Sequence, residues 1–299
     1  MYFDNVPHEL SGMARESDAV PADALEDVAY LSRSANRVRI LDALTRGPTT
    51  RRALAEGTGT SRTTLDRIVN ELEERGWAER TADGDYVATT TGDRLMAEVR
   101  PFLESVQALR RLGDAVTWLP DDLSVGLHHF SDAAVRRPEG DDPIETVDYF
   151  VELAREADEI RVLTHLAAPM PLAQAMRDRL AAGESTARYV LTGDLVDYLA
   201  DTEEHRTIWQ DLLGAGARLY RYGDHIPCNL YVFGETVLVK KSRPGPIHDS
   251  YGVPIVTQDE AVRSWATDLV EQYRAGATRV GAERFADDQP VSRVESGDG

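Results

Sequence analysis

The spacing of apolar positions changes character near residue 145, and the change divides the chain. Upstream it is helical. Ala24 to Leu31 predicts a first helix, and Ser34 is placed to cap a second whose apolar set is Val38, Leu41 and Leu44 and which Gly47-Pro48 stops. Thr50 can cap a short helix, RRALAEG, with Leu54 inward, and Gly57 and Gly59 supply a turn. Thr60 or Ser61 then caps the next helix. There Leu65, Ile68 and Leu72 recur at i, i+3 and i+7 and face a core, which leaves Arg62, Thr63, Thr64 and Arg67 near the start of the opposite face. Gly76 ends this helix. Trp77, Glu79, Tyr86 and Ala88 alternate around an Asp83-Gly84 turn, the pattern of a hairpin.

A long helix is expected from Thr91, past Pro101, to Val116, with Leu95, Val99, Phe102, Val106, Leu109, Leu112 and Val116 in one stripe at steps of three or four. The stripe either packs on its own domain or pairs with its twin to make a dimer. Residues 118–144 carry Pro120, Pro138, Gly140 and Pro143 among charges and read as a linker, with His128-His129 solvent-exposed in it. From 145 to 280 strand-length apolar runs alternate with helices. Strands are expected at Ile160–Leu163, Ala187–Leu191, Arg218–Arg221, Leu230–Phe233 and Val237–Val239, with helices at Pro171–Ala182, across Asp194–Leu213 and at Gln258–Arg274. Such alternation predicts an α/β sheet covered by helices. Residues 1–22 and the acidic 281–299 lack periodicity and are expected to be disordered tails.

Short helices followed by a hairpin over residues 23–90 are the succession of a winged helix-turn-helix, which sets its last helix in the DNA major groove. Charge agrees. Between Arg33 and Arg80 there are ten Arg against seven Asp and Glu, in a chain whose formal net charge is -19. Thr63, Thr64 and Arg67 are expected at base edges, since Arg reaches guanine O6 and N7 and a Thr methyl can touch thymine. Arg51, Arg52 and Arg62 are expected on phosphates, which fix register without reading sequence. Two carboxylates at the wing tip, Asp83 and Asp85, argue against its entry into the minor groove and make Arg80 the wing's contact. A trihelical core used only for protein contacts is the competing reading.

Composition adds habitat and compartment. Lys240 and Lys241 are the only lysines, and this acidic, Arg-for-Lys surface is similar to that of proteins from salt-accumulating archaea. In molar salt counterion release adds little, so DNA affinity must lean on hydrogen bonds and a second half-site, which favours a homodimer. Cys228 is the single cysteine, the N-terminus has neither a basic nor an apolar signal region, and no apolar run nears the roughly 18 residues of a membrane span. A cytoplasmic protein without membrane contact is expected. His225 and Cys228, with His248 downstream, make poor metal spacing, and neither a metal nor a cofactor is expected. No G-x-S-x-G, P-loop or G-x-G-x-x-G occurs.

In the second half Thr164-His165 and Thr192 fall just beyond strands, where open α/β sheets place ligands. They either line a pocket for a small-molecule effector or serve as turn and cap residues. Lys240, Lys241 and Arg243 form its densest cationic spot, which either holds an anionic ligand or is a solvated strand end.

The stretches YLSRSANRVRILDAL, TSRTTLDRIVNELEERGW, TWLPDDL, ADEIRVLT, ARYVLT and GETVLVKKS resemble a group of haloarchaeal transcriptional regulators. In these a winged helix similar to those of the ArsR, IclR and TrmB classes precedes an effector domain like that of the archaeal methanogenesis and filamentation regulator. The resemblance covers residues 25 to 275. It implies an α+β chain, in which the winged helix is joined by a long helix (91–117) and a linker to an α/β effector domain of phospholipase D-like fold. The catalytic motif of that fold needs His followed two residues later by Lys, and this chain has no His-x-Lys. The resemblance therefore implies binding without catalysis. The expected function is sequence-specific transcriptional regulation on double-stranded DNA. The alternative is a small-molecule hydrolase or transferase with an accessory winged helix.

Overall fold

The computed structural model describes residues 21–137, 143–242 and 252–286. Most of both expected tails, and Arg243 and His248, lie outside the described residues. The chain separates into two compact units after Arg100, and helix and sheet are mixed.

The first unit runs α1 (Ala22–Ser32), α2 (Ala35–Leu44), α3 (Arg51–Thr58), α4 (Arg62–Glu74), β1 (Ala78–Arg80), β2 (Tyr86–Ala88) and the start of α5 (Thr90–Leu112). Thr50 caps α3 by accepting from the Ala53 N–H at 3.1 Å, and Gly59, at φ 65°, makes the left-handed turn into α4. Ser61, not Thr60, caps α4; Thr60 is buried instead. Ser34 stands at the N-cap of α2 but its hydroxyl caps nothing, because the Arg37 N–H goes to the Ser34 carbonyl at 3.0 Å.

Leu65, Ile68 and Leu72 of α4 are wholly buried against Ile40, Leu41 and Leu44 of α2 and Leu54 of α3. Burying each of these side chains contributes about 1.5–3 kcal/mol. The hairpin pairs Ala78 with Ala88 and Arg80 with Tyr86, turning Ala78, Tyr86 and Ala88 inward. Trp77 is buried but precedes the strand, so Glu79 is exposed and the alternation expected through Trp77 and Glu79 breaks. Thr49 exchanges both backbone hydrogen bonds with Tyr86, at 2.8 and 3.0 Å, and ties the wing to the loop before α3.

In the second unit α5 stops at Leu112, short of Val116, because Gly113 takes φ +53° and the chain tightens into a 3-10 turn over Gly113–Trp118. The stretch expected to be a linker is largely structural. Leu119, Phe130 and Ala133 are buried, and β3 (Ala134–Val135) is an edge strand of the sheet. His129 is not simply solvated either, since its Nδ1 lies 3.3 Å from Asp259.

The remaining elements are α6 (Pro143–Glu156), β4 (Glu159–Thr164), α7 (Met170–Ala181), β5 (Thr186–Thr192), α8 (Gly193–Asp201), α9 (Glu203–Gly214), β6 (Arg218–Tyr222), β7 (Cys228–Phe233), β8 (Thr236–Lys241), β9 (Ile255–Thr257), α10 (Glu260–Ala275) and β10 (Thr278–Val280). They build an eight-stranded sheet in the order β10-β6-β5-β4-β7-β8-β9-β3, parallel only from β4 through β5 to β6. Side chains alternate across it. Ile160, Val162, Tyr189, Tyr231 and Leu238 meet the layer of α6 to α9, whereas Leu163, Val190, Leu230 and Val239 meet α10 and the former linker.

Candidate functional site

On α4 the inward stripe leaves one solvent face. Arg62, Thr63 and Arg67 are exposed on it, and so is Asn70, which stands one turn beyond Arg67. Asn70 escaped the reading of the sequence although i+3 spacing from Arg67 and i+7 from Thr63 places it on the same face; Asn pairs with adenine N6 and N7. Thr64 is less available. Its hydroxyl accepts from Ser61 at 2.9 Å and its N–H donates to the same oxygen.

Most of the arginines of this surface hold carboxylates. Arg67 pairs with Glu71 at 2.6 Å, Arg51 with Asp66 at 2.6 Å and Arg52 with Glu56 at 2.8 Å. The Arg51 pair joins α3 to α4, so the structure brings Arg51 to the helix carrying Thr63 and Arg67, while Arg52 lies along its own helix. Arg62 has no ion-pair partner among the described residues. Arg80 curls over the wing, donating from Nε to the Gly84 carbonyl at 3.1 Å, with its guanidinium 5.8 Å from the Tyr86 ring. Pairs this exposed are worth about 0–1 kcal/mol, so a phosphate or base edge can replace the carboxylate.

Glu71 anchors the inner end of this arrangement. It accepts from Arg37 at 3.1 Å as well as from Arg67. Partial burial alone would raise its carboxyl; the guanidiniums outweigh that and hold it below the ordinary carboxylate range. Arg37 also stacks 4.0 Å over the Tyr30 ring, and burial pushes the Tyr30 phenol up to about 12.

The second unit gathers polar side chains at the C-terminal end of β4. Thr164 is buried, donates to Asn229 Oδ1 at 2.7 Å, lies 3.0 Å from the Tyr231 hydroxyl and accepts from the Leu166 N–H. The His165 N–H also reaches Asn229 Oδ1, and Asn229 Nδ2 donates to the Lys241 carbonyl at 2.9 Å. His165 Nδ1 is 3.3 Å from Ser242. Asn229, wholly buried and one residue ahead of the strand expected at Leu230–Phe233, is the hub, and the bonds to it run between protein groups. Thr164 and the His165 backbone thus act as turn-fixing groups, and Thr192 stands at the N-cap of α8 without a side-chain cap bond.

Lys240 corrects the solvated-strand reading. It is buried, because the alternation of β8 sends Thr236, Leu238 and Lys240 to one face, where Nζ is 5.8 Å from the Phe150 ring. Lys241 is only partly covered. Cys228 faces the α10 layer, and burial pushes its thiol up to about 12, so it stays protonated and a poor metal ligand at neutral pH. Among the described residues no group of three or more His, Cys, Asp and Glu could hold a metal ion, and no helix is long and apolar enough to cross a membrane.

Fold and surface together define a winged helix-turn-helix protein with an α/β second domain. Residues 25–111 match the model of the HVO_A0261 N-terminal domain, and residues 143–276 match that of the middle domain of the methanogenesis regulatory protein FilR1. The two matches follow one another along the chain. Among solved structures it is similar to TrmBL2, described as an archaeal chromatin protein with a novel mode of DNA binding, at 16% identity over 87% of this chain and 100% of that one, with a TM-score of 0.38. It is also similar to IdeR of T. acidophilum, at 22% identity over 28% and 39% of the two chains and a TM-score of 0.21. The O-methyltransferase NcsB1 of neocarzinostatin biosynthesis matches at 17% identity over 67% and 85%, with a TM-score of 0.26. No curated protein matches the chain.

Proposed function

We propose that this chain is a sequence-specific DNA-binding transcription regulator that works as a homodimer in the cytoplasm, its second domain binding a small effector rather than turning a substrate over. The observation that carries the reading is the solvent face of α4. A capped helix on a winged-helix core there presents Arg62, Thr63, Arg67 and Asn70 side by side, residue types that pair with phosphates and base edges. Arg51, Arg52 and Arg80 add phosphate contacts, and Thr64 takes part through the Ser61 cap. The FilR1-type second domain supports a regulatory role.

For the dimer, support comes from α5. Phe102, Leu103, Val106 and Leu109 are exposed in its second half, an apolar face with the spacing of a helix pair. For binding without catalysis, support comes from the absence of His-x-Lys, which a phospholipase D-like sheet would need, and from the internal engagement of Thr164. Ligand would then favour one disposition of the two winged helices, and half-site spacing either fits or misses the operator.

Genomic occupancy of the tagged protein, compared with an Arg67→Ala, Asn70→Ala double variant, tests the reading. Discrete promoter-proximal peaks lost in the variant are expected. Peaks that survive it would displace the recognition face from α4, and an absence of peaks in the wild type would overturn DNA binding.

A further inference from the structure

The second unit holds an open cleft of about 740 Å³ at the β6–β10 edge of its sheet, bordered by α8, α9 and residues 281–286. Four arginines line it: Arg206 from α9, Arg221 from β6, Arg279 from β10 and Arg284 just beyond. Among the described residues two carboxylates, Asp201 and Glu283, share the lining. In a chain of 52 Asp and Glu against 33 Lys and Arg, four guanidiniums at one concavity run against the overall charge.

Two of the four, Arg221 and Arg284, are held by one carboxylate. Asp197 of α8 accepts from Arg221 and from Arg284, each at 3.0 Å, and binds two guanidiniums with one carboxylate. Partial burial would raise that carboxyl, but the two arginines outweigh it and keep Asp197 ionised. A guanidinium carries five N–H donors, so each arginine retains several after serving Asp197. Arg221 lies across the first turn of α8, its Nη2 2.8 Å from where a Cβ at Gly193 would stand. Arg279 has no ion-pair partner among the described residues. Val196, Ala200 and Val280 supply a small apolar wall. Arg221 and the start of α8 both belong to the carboxyl end of the parallel strands, the end at which α/β sheets take ligands.

We infer that this cleft is a binding site for a small organic polyanion, a metabolite bearing two or more phosphate or carboxylate groups. Its volume is that of a metabolite site, and planar guanidinium forks match both groups bidentately. The inference names a ligand class for the effector role proposed above and rests on that reading only for its regulatory consequence. Binding is measured without DNA, so a failure of one leaves the other standing.

The test is calorimetric titration of the full chain with pyrophosphate and, separately, with citrate, at two potassium chloride concentrations. Saturable binding of at least one probe, weaker at the higher salt, is expected; pyrophosphate alone would assign phosphate, and citrate alone carboxylate. An Arg279→Gln, Arg284→Gln variant should bind at least about tenfold more weakly, given the usual strength of charge-assisted hydrogen bonds. Arg155→Gln, on α6 outside the lining, should bind as wild type does. Should the double variant unfold, Arg279→Gln alone, which breaks no ion pair among the described residues, carries the comparison with a loss of several-fold. No saturable heat with either probe, or binding indifferent to Arg279, would overturn the site.

Discussion

Arg67 and Glu71 are ion-paired at 2.6 Å one turn apart on α4, so the arginine proposed to read DNA is held by a carboxylate of its own helix. Glu71 also holds Arg37, which is nearly enclosed. The pair therefore joins the exposed face to the core, and in the proposed complex it would oppose DNA binding by the modest worth of an exposed bond. Glu71→Gln should strengthen binding to operator DNA severalfold, about 0.5–1 kcal/mol, while lowering stability slightly through Arg37. Fluorescence anisotropy checks it; unchanged or weaker binding would mean that Arg67 is not a DNA contact.

Asn70→Ala and Arg67→Ala should each cost about 1–3 kcal/mol of operator binding and relax the sequence requirement at a single position. Arg51→Ala should instead weaken all sequences alike and shallow the salt dependence. Binding selections on randomised half-sites separate the two classes. A specificity change in the Arg51 variant would reverse the assignment.

Phe102→Glu with Leu109→Glu should make the chain monomeric without altering its fold, because these side chains are already exposed, at 60% and 45%. Sedimentation equilibrium reads this directly. A wild-type monomer, or a dimer indifferent to the substitutions, would remove α5 from the assembly.

Asn229→Ala should destabilise the second unit by about 2–4 kcal/mol, since it strips partners from Thr164, the His165 N–H and the Lys241 carbonyl in a buried setting. Thermal unfolding with an intact far-ultraviolet spectrum at low temperature is the measurement. A loss below about 0.5 kcal/mol would show that the network is solvated.

Glu271 takes Arg188 and Arg274 at once. Burial would raise its carboxyl, but the two guanidiniums hold it below the ordinary range. A depressed folded value means that the unfolded chain binds the proton first on acidification. The stabilisation is therefore complete above the ordinary carboxylate range and disappears as pH falls through the folded value. The Tm gap between wild type and Glu271→Gln should be widest near neutrality and close below about pH 4. A gap that persists in acid would assign the loss to packing.

The winged helix was legible in the sequence because its signals are local. Leu65, Ile68 and Leu72 declare the buried face of α4 by spacing alone, Thr50 and Gly59 punctuate α3, and the opposite face with Thr63 and Arg67 follows by subtraction. The strands β4 to β8 were legible as apolar runs for the same reason. Short or irregular pieces such as β3, β9, β10 and the Phe130 turn were not, since two or three residues carry no period and their apolar side chains gain meaning only when a distant strand covers them.

The sequence by itself thus determined the longer elements, the inward face of α4 and the identity of the residues left outside it. Tertiary structure alone decided which residues meet. It paired Arg67 with Glu71 and Arg51 with Asp66, buried Lys240 beside Phe150, made Asn229 the hub of Thr164 and His165, and drew Arg206, Arg221, Arg279 and Arg284 from four places in the chain to one cleft. The physical reason is range. Periodicity and capping act over a few residues, whereas an ion pair or a buried hydrogen bond acts across space and leaves no mark on the spacing of the chain.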